Sequence, residues 1–100
     1  MKKILILLAM VMAFGVVNAQ KSKRASAFNY WNDGKLDKAK ESIDLTILDP
    51  STMNDAKTWM YRGNIYLDIH RSLQPEFKSL APDALSIAYE SYKKALAHGG

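Results

Sequence analysis

The chain has 100 residues, room for one small domain, with 14 Lys and Arg against 10 Asp and Glu and a formal net charge of +4. It has no cysteine, which excludes disulfides, a thiol nucleophile and a lipid anchor on an N-terminal Cys. The fold must therefore hold by packing alone.

Residues 1–19 read as a cleavable secretory signal, outside the fold. Lys2 and Lys3 form a short basic start, and Ile4 to Val17 is an uncharged stretch of 14 residues. Val17-Asn18-Ala19 puts small or short residues at the expected cleavage point, leaving Gln20 as the new N-terminus. As a helix, 14 residues reach only about 21 Å, short of the ~30 Å hydrocarbon core, which disfavours an uncleaved anchor. The remaining 81 residues carry 12 basic against 10 acidic side chains, so the net charge falls to +2. The sequence pI of 9.4 thus overstates the basicity of the working chain. The cluster Lys21-Ser22-Lys23-Arg24 reads as a solvated helix start, and no nucleic-acid partner is expected for an exported protein.

Four helical segments follow, and no strand pattern. The first runs from about Lys23 to Asn32, with Ala27, Phe28, Tyr30 and Trp31 apolar. Asp33-Gly34 ends it, because Gly can take the left-handed conformation of a tight turn. The second runs from about Leu36 to Leu48, with Leu36, Ala39, Ile43 and Ile47 at helical spacing. Pro50 stops it, lacking an amide donor and pushing Asp49 out of the helical region. The third runs from about Asn54 to Arg71, and Thr52-Met53-Asn54-Asp55 offers it a capping hydroxyl with an acid three residues on. The fourth runs from about Pro82 to Ala97, with Pro82 and Asp83 in its first turn and Gly99 capping its end.

Trp59, Gly63 and Tyr66, then Ala88, Tyr92 and Ala95, fall at the spacing W-x2-L-G-x2-Y followed by A-x3-F and a second small residue, with Arg62 where Leu is usual. On these residues the chain resembles the tetratricopeptide repeat family, in an exported bacterial style. Ala27, Tyr30, Gly34, Ala39, Ile43 and Thr46 match the same offsets upstream, with Lys23 at the Trp position. The resemblance implies an all-α fold of about two tandem helix-turn-helix repeats in a right-handed α-solenoid. Repeat one covers about 23–49 and repeat two about 54–98. Tyr66 to Ala88 is 22 residues against 9 from Tyr30 to Ala39, so repeat two carries an insertion of 13, centred on a loop at 72–81. Gly63 in mid-helix should cost about 1 kcal/mol relative to Ala, a cost accepted where another helix comes very close. The loop has two readings: a partner-binding flap, or a packed segment in which Phe77 and Leu80 seal a gap.

No catalytic constellation is visible. No Ser sits in a Gly-x-Ser-x-Gly setting, and no glycine-rich phosphate loop occurs. His70 and His98 fall near the ends of different helices, without the second His four residues away that a helical metal site needs. Asp33, Asp37 and Asp44 read as turn and solvated helix residues. No enzyme activity, metal, cofactor or small-molecule substrate is expected.

In proteins similar to this one, the first helix of each pair lines a concave groove. The resemblance puts Phe28 and Trp31 of the first pair and Asn64 and Leu67 of the second on that groove, flanked by Arg24, Lys57 and Met60. The expected ligand is a protein partner offering an extended or helical peptide segment; Trp and Arg often carry binding energy, and Met adapts to varied partners. Phe28 and Trp31 have a second reading as core residues. Some relatives grip a C-terminal carboxylate; Asn64 matches one such position, but Phe28 replaces the other Asn.

Each hairpin buries its apolar face only against a neighbour, and about three repeats are usually needed. Leu85, Tyr89 or Leu96 of the fourth helix would lack cover. The chain is then the first part of a longer repeat protein, or it pairs with itself or a partner. The reading is a scaffold or adaptor in the bacterial envelope, periplasmic or secreted. The alternative is a structural subunit of an envelope assembly without peptide binding of its own.

Overall fold

The computed structural model describes residues 22–100; the expected signal, residues 1–19, and its cleavage point lie outside the described residues. The fold is all-α, with no strand among the described residues. Helix α1 covers residues 22–32. Helices α2 (Leu36–Thr46), α3 (Ala56–Arg71), α4 (Pro75–Lys78) and α5 (Ala84–Ala97) follow.

The turn between α1 and α2 forms as its residues dictate. Gly34 takes φ +76°, its N–H donates to the Trp31 carbonyl at 3.1 Å, and the Lys35 N–H donates to the Tyr30 carbonyl at 2.8 Å. This is the Schellman closure, which satisfies two carbonyls the helix would otherwise orphan. Helix α2 turns Leu36, Ala39, Ser42, Ile43 and Thr46 inward.

Helix α2 ends at Thr46, two residues before the expected Leu48, which stands exposed. The cause is Pro50. The Thr46 carbonyl would take its helical bond from the amide of residue 50, and proline has none; its ring also crowds that carbonyl. The Thr52 hydroxyl donates to the Thr46 carbonyl instead, at 2.7 Å, and both side chains are fully buried. Thr52 therefore does not cap α3 as expected. Asp55 holds that position, with no side-chain cap, and α3 begins at Ala56. The Met53 carbonyl accepts from the Trp59 indole N–H at 2.6 Å, which pins the same link to α3.

Helix α3 lies between α2 and α5. Gly63 serves the close approach its position implied. A Cβ there would come 2.6–2.9 Å from three ring atoms of Tyr92, so the ring rests directly on the α3 backbone. Ala84, Ala88, Ser91 and Ala95 form the inner face of α5. The core joins Ala27, Leu36, Ala39 and Ile43 to Ile65, Tyr66, Ile69, Ala84 and Ala88.

Asp44 is not the solvated residue expected. It accepts from Tyr66 Oη at 2.7 Å, Lys40 Nζ at 3.1 Å and Arg62 Nε at 3.2 Å. Arg62 also reaches Ser91 Oγ at 3.3 Å, so the Arg at the usual Leu position ties α2, α3 and α5 together. Its guanidinium lies 5.0 Å over the Tyr66 ring. Burial first, and then Asp44, push the Tyr66 phenol well above its ordinary pKa.

The loop after α3 contains the short helix α4, which the sequence pattern did not suggest. Pro75 opens it. Phe77 and Leu80 pack against the core, as the sealing reading requires, while Leu73 projects into solvent. Helix α5 begins at Ala84, two residues later than expected, because Pro82 and Asp83 form a turn ahead of it.

Candidate partner-binding groove

Helix α1 lies along α3, held by three kinds of contact. Arg24 Nη1 donates to Asp55 Oδ2 at 2.8 Å and to Thr58 Oγ1 at 3.1 Å. The Phe28 ring meets Tyr61 at 5.1 Å between centroids and Trp31 at 5.8 Å. The Trp31 indole N–H donates to Asp68 Oδ2 at 2.6 Å. These contacts leave a depression of about 330 Å³, lined by Arg24, Ala25, Phe28, Asn29, Lys57 and Tyr61.

Three of the seven expected site residues, Arg24, Phe28 and Lys57, meet there. They play unequal parts. The Arg24 side chain is only 16% exposed and is matched by Asp55, so it holds α1 to α3 before it holds any ligand. Lys57 is exposed, with its ammonium 5.6 Å over the Tyr61 ring. Lys57 is thus the cation offered at the rim, and Phe28 with Tyr61 form an aromatic wall.

The other four diverge. Trp31 lines a second depression toward the far end of the helices, with Asp68, Arg71 and Phe77. There Arg71 Nη2 donates to the free oxygen of Asp68 at 2.6 Å. Asn64 Oδ1 accepts from Tyr92 Oη at 2.6 Å, so its carbonyl serves the α3–α5 contact. Leu67 is half-buried against the core. Met60 is 42% exposed and lies outside both linings. Phe28 and Trp31 are half-buried, each packed on one side and open on the other.

Tyr61 and Asp68 escaped the sequence reading, although a signal was present. Positions 57, 61, 64 and 68 recur at four, three and four residues and so share one face of α3. Counting one residue beyond Gly63 and Tyr66 stepped over them.

The Tyr92 phenol is raised, by burial first and then by the Asp68 carboxylate, with Arg71 opposing. Tyr66 and Tyr92 are therefore neutral hydrogen-bond donors at physiological pH. Among the described residues no three His, Cys, Asp or Glu side chains converge as a metal-ligand group. No protein-family model matches the chain, and no curated protein or solved structure matches it significantly.

Proposed function

We propose that this chain is an exported, tetratricopeptide-like repeat module that serves as a scaffold or adaptor in the bacterial envelope. It takes a peptide segment of a partner protein along the α1–α3 face. The observation that carries the reading is the depression between α1 and α3, with an aromatic wall of Phe28 and Tyr61 and the Lys57 ammonium at its rim. Aromatic rings give area with little side-chain entropy to lose, and an exposed cation selects for acidic groups near the anchor. The repeat reading is supported by paired positions in the two halves: Ala27 with Gly63, Ala39 with Ala88 and Thr46 with Ala95 are all buried.

The test uses the full chain expressed in its host, with a photo-crosslinking amino acid in place of Asn29, at the edge of the depression. The adaptor reading expects one or two abundant envelope proteins in the adducts. It also expects Phe28→Ala together with Tyr61→Ala to lower their yield at least tenfold. Equal adducts with and without the aromatic pair would sink it.

A further inference from the structure

The depression around Trp31 lies on the same strip of surface as the one around Lys57. At about 100° per residue, Tyr61, Asn64, Asp68 and Arg71 all fall within about 40° of Lys57 on α3. By the same count, Phe28 and Trp31 fall within about 40° of Arg24 on α1. The first depression, about 330 Å³, takes Lys57 and Tyr61 from the α3 row, and the second, about 370 Å³, takes Asp68 and Arg71. The Phe28 ring, 5.1 Å from Tyr61 and 5.8 Å from Trp31, joins the two ends as one aromatic strip.

The two ends differ in charge. Arg24 is matched by Asp55 at 2.8 Å and Arg71 by Asp68 at 2.6 Å. Lys57 forms no ion pair among the described residues. The first end therefore keeps one unmatched positive charge, and the lining of the second is neutral. At the second end the Trp31 N–H is spent on Asp68, so Trp31 and Phe77 offer ring surface alone. A side chain added at Gly34, in the same lining, would meet nothing within 4 Å, so that end is open to entry. Each depression also has one exposed side-chain amide, Asn29 in the first and Gln74 in the second. Such amides pair with peptide N–H and C=O groups, which an extended segment presents and a helix keeps for itself.

Lys57 and Asp68 are eleven positions apart, about 16 Å along α3. An extended chain rises about 3.3 Å per residue, and its side chains share a face at even spacings. Two side chains two residues apart are separated by only about 7 Å and cannot occupy both ends. Four residues apart they are separated by about 13 Å, and the long Lys57 side chain covers the difference. Building on the peptide-adaptor reading of this face, we propose that the segment it takes is extended and has two anchors four residues apart. One is an acidic side chain held by Lys57, and the other is an aromatic or large aliphatic side chain in the Trp31–Phe77 depression.

The test uses the full chain purified from its host and dye-labelled, capped peptides of about seven residues. Each peptide is Ser and Thr apart from one Glu and one photo-reactive benzoylphenylalanine. With those two four residues apart, fluorescence anisotropy should show at least fivefold tighter binding than with the two residues two apart. Illumination of the four-apart peptide should label Trp31 or the segment 72–77. Gln in place of the peptide's Glu should weaken binding about threefold, the size of an exposed ion pair. Lys57→Glu, at an exposed position, should reverse the preference, so that a peptide with Lys in place of its Glu binds better. Equal binding at both spacings, labelling confined to the first depression, a Glu preference that survives Lys57→Glu, or no binding at ~1 mM would overturn the proposal. The adaptor reading is decided apart from this, by the Asn29 adducts. If those form and depend on Phe28 and Tyr61 while spacing has no effect, the adaptor stands and the two-anchor pattern falls.

Discussion

Gly63 shows how a single residue sets a helix spacing. Its missing side chain is the space the Tyr92 ring fills. Gly63→Ala should gain about 1 kcal/mol of helix propensity. It should lose more, because forced overpacking against a ring typically costs 1–3 kcal/mol. A net loss of about 1 kcal/mol is expected from urea unfolding. In a Tyr92→Ala background the same substitution should be neutral or stabilising, since the obstacle is gone. Tyr66 makes a pH-dependent contribution. Its folded pKa is raised, so the folded chain holds that proton more tightly than the unfolded chain, whose tyrosines ionise near pH 10. The associated stability is intact below about pH 10 and is lost as the pH rises beyond it. Urea midpoints measured from pH 9 upward should therefore fall, and Tyr66→Phe should flatten the decline. Gly63 and its near neighbour were legible in the sequence, because a mid-helix Gly at motif spacing demands an explanation. The Asp44–Arg62–Tyr66 cluster was not, because its partners lie up to 22 residues apart and no periodicity pairs them.

At the scale of the elements, local signals placed the helices well and their ends less well. The Gly34 turn followed from one residue's conformational freedom. Pro50 was legible as the stop of α2, but the last helical residue was not, since the carbonyl left at Thr46 is taken up by a threonine six residues past it. Thr52→Val should leave the Thr46 carbonyl buried and unpaired, at a cost of about 1–3 kcal/mol. Pro50→Ala restores an amide where the helix wants one. The double variant should be more stable than Thr52→Val alone, as judged by thermal unfolding; equal stability would remove the account given for the early end of α2. Helix α4 was missed because a four-residue helix is too short to show a period.

For the whole molecule, the separation of working fold from leader was a reading of composition alone. Mass spectrometry of the chain purified from its host's envelope should find an N-terminal peptide that begins at Gln20, free or as pyroglutamate. Recovery of an intact Met1 end would remove the export reading and, with it, the envelope as the place of the proposed partner. The face itself was half legible. Motif spacing brought out Phe28 and Lys57, which meet across two helices. It also brought out Arg24, whose counter-ion Asp55 lies 31 residues away and could not be seen from spacing. The uncovered α5 stripe followed from counting apolar residues that no neighbouring helix could reach, and Leu85, Tyr89 and Leu96 do stand exposed.

The link between the hairpins is clamped from both sides, by Thr52 on the end of α2 and by the Trp59 indole on the Met53 carbonyl. A swivel there would have to break a buried hydrogen bond and a part-buried one at once. The α2–α3 link is therefore stiff, and because the Arg24–Asp55 and Trp31–Asp68 bonds hold α1 on α3, the proposed binding face keeps a preset shape. Little ordering remains to be done on capture, which lowers the entropic penalty of association. Under the proposed function, recognition by this face is then a matter of fit to a fixed surface: a segment lies against the continuous Phe28–Tyr61 wall and does not enter between the two rings.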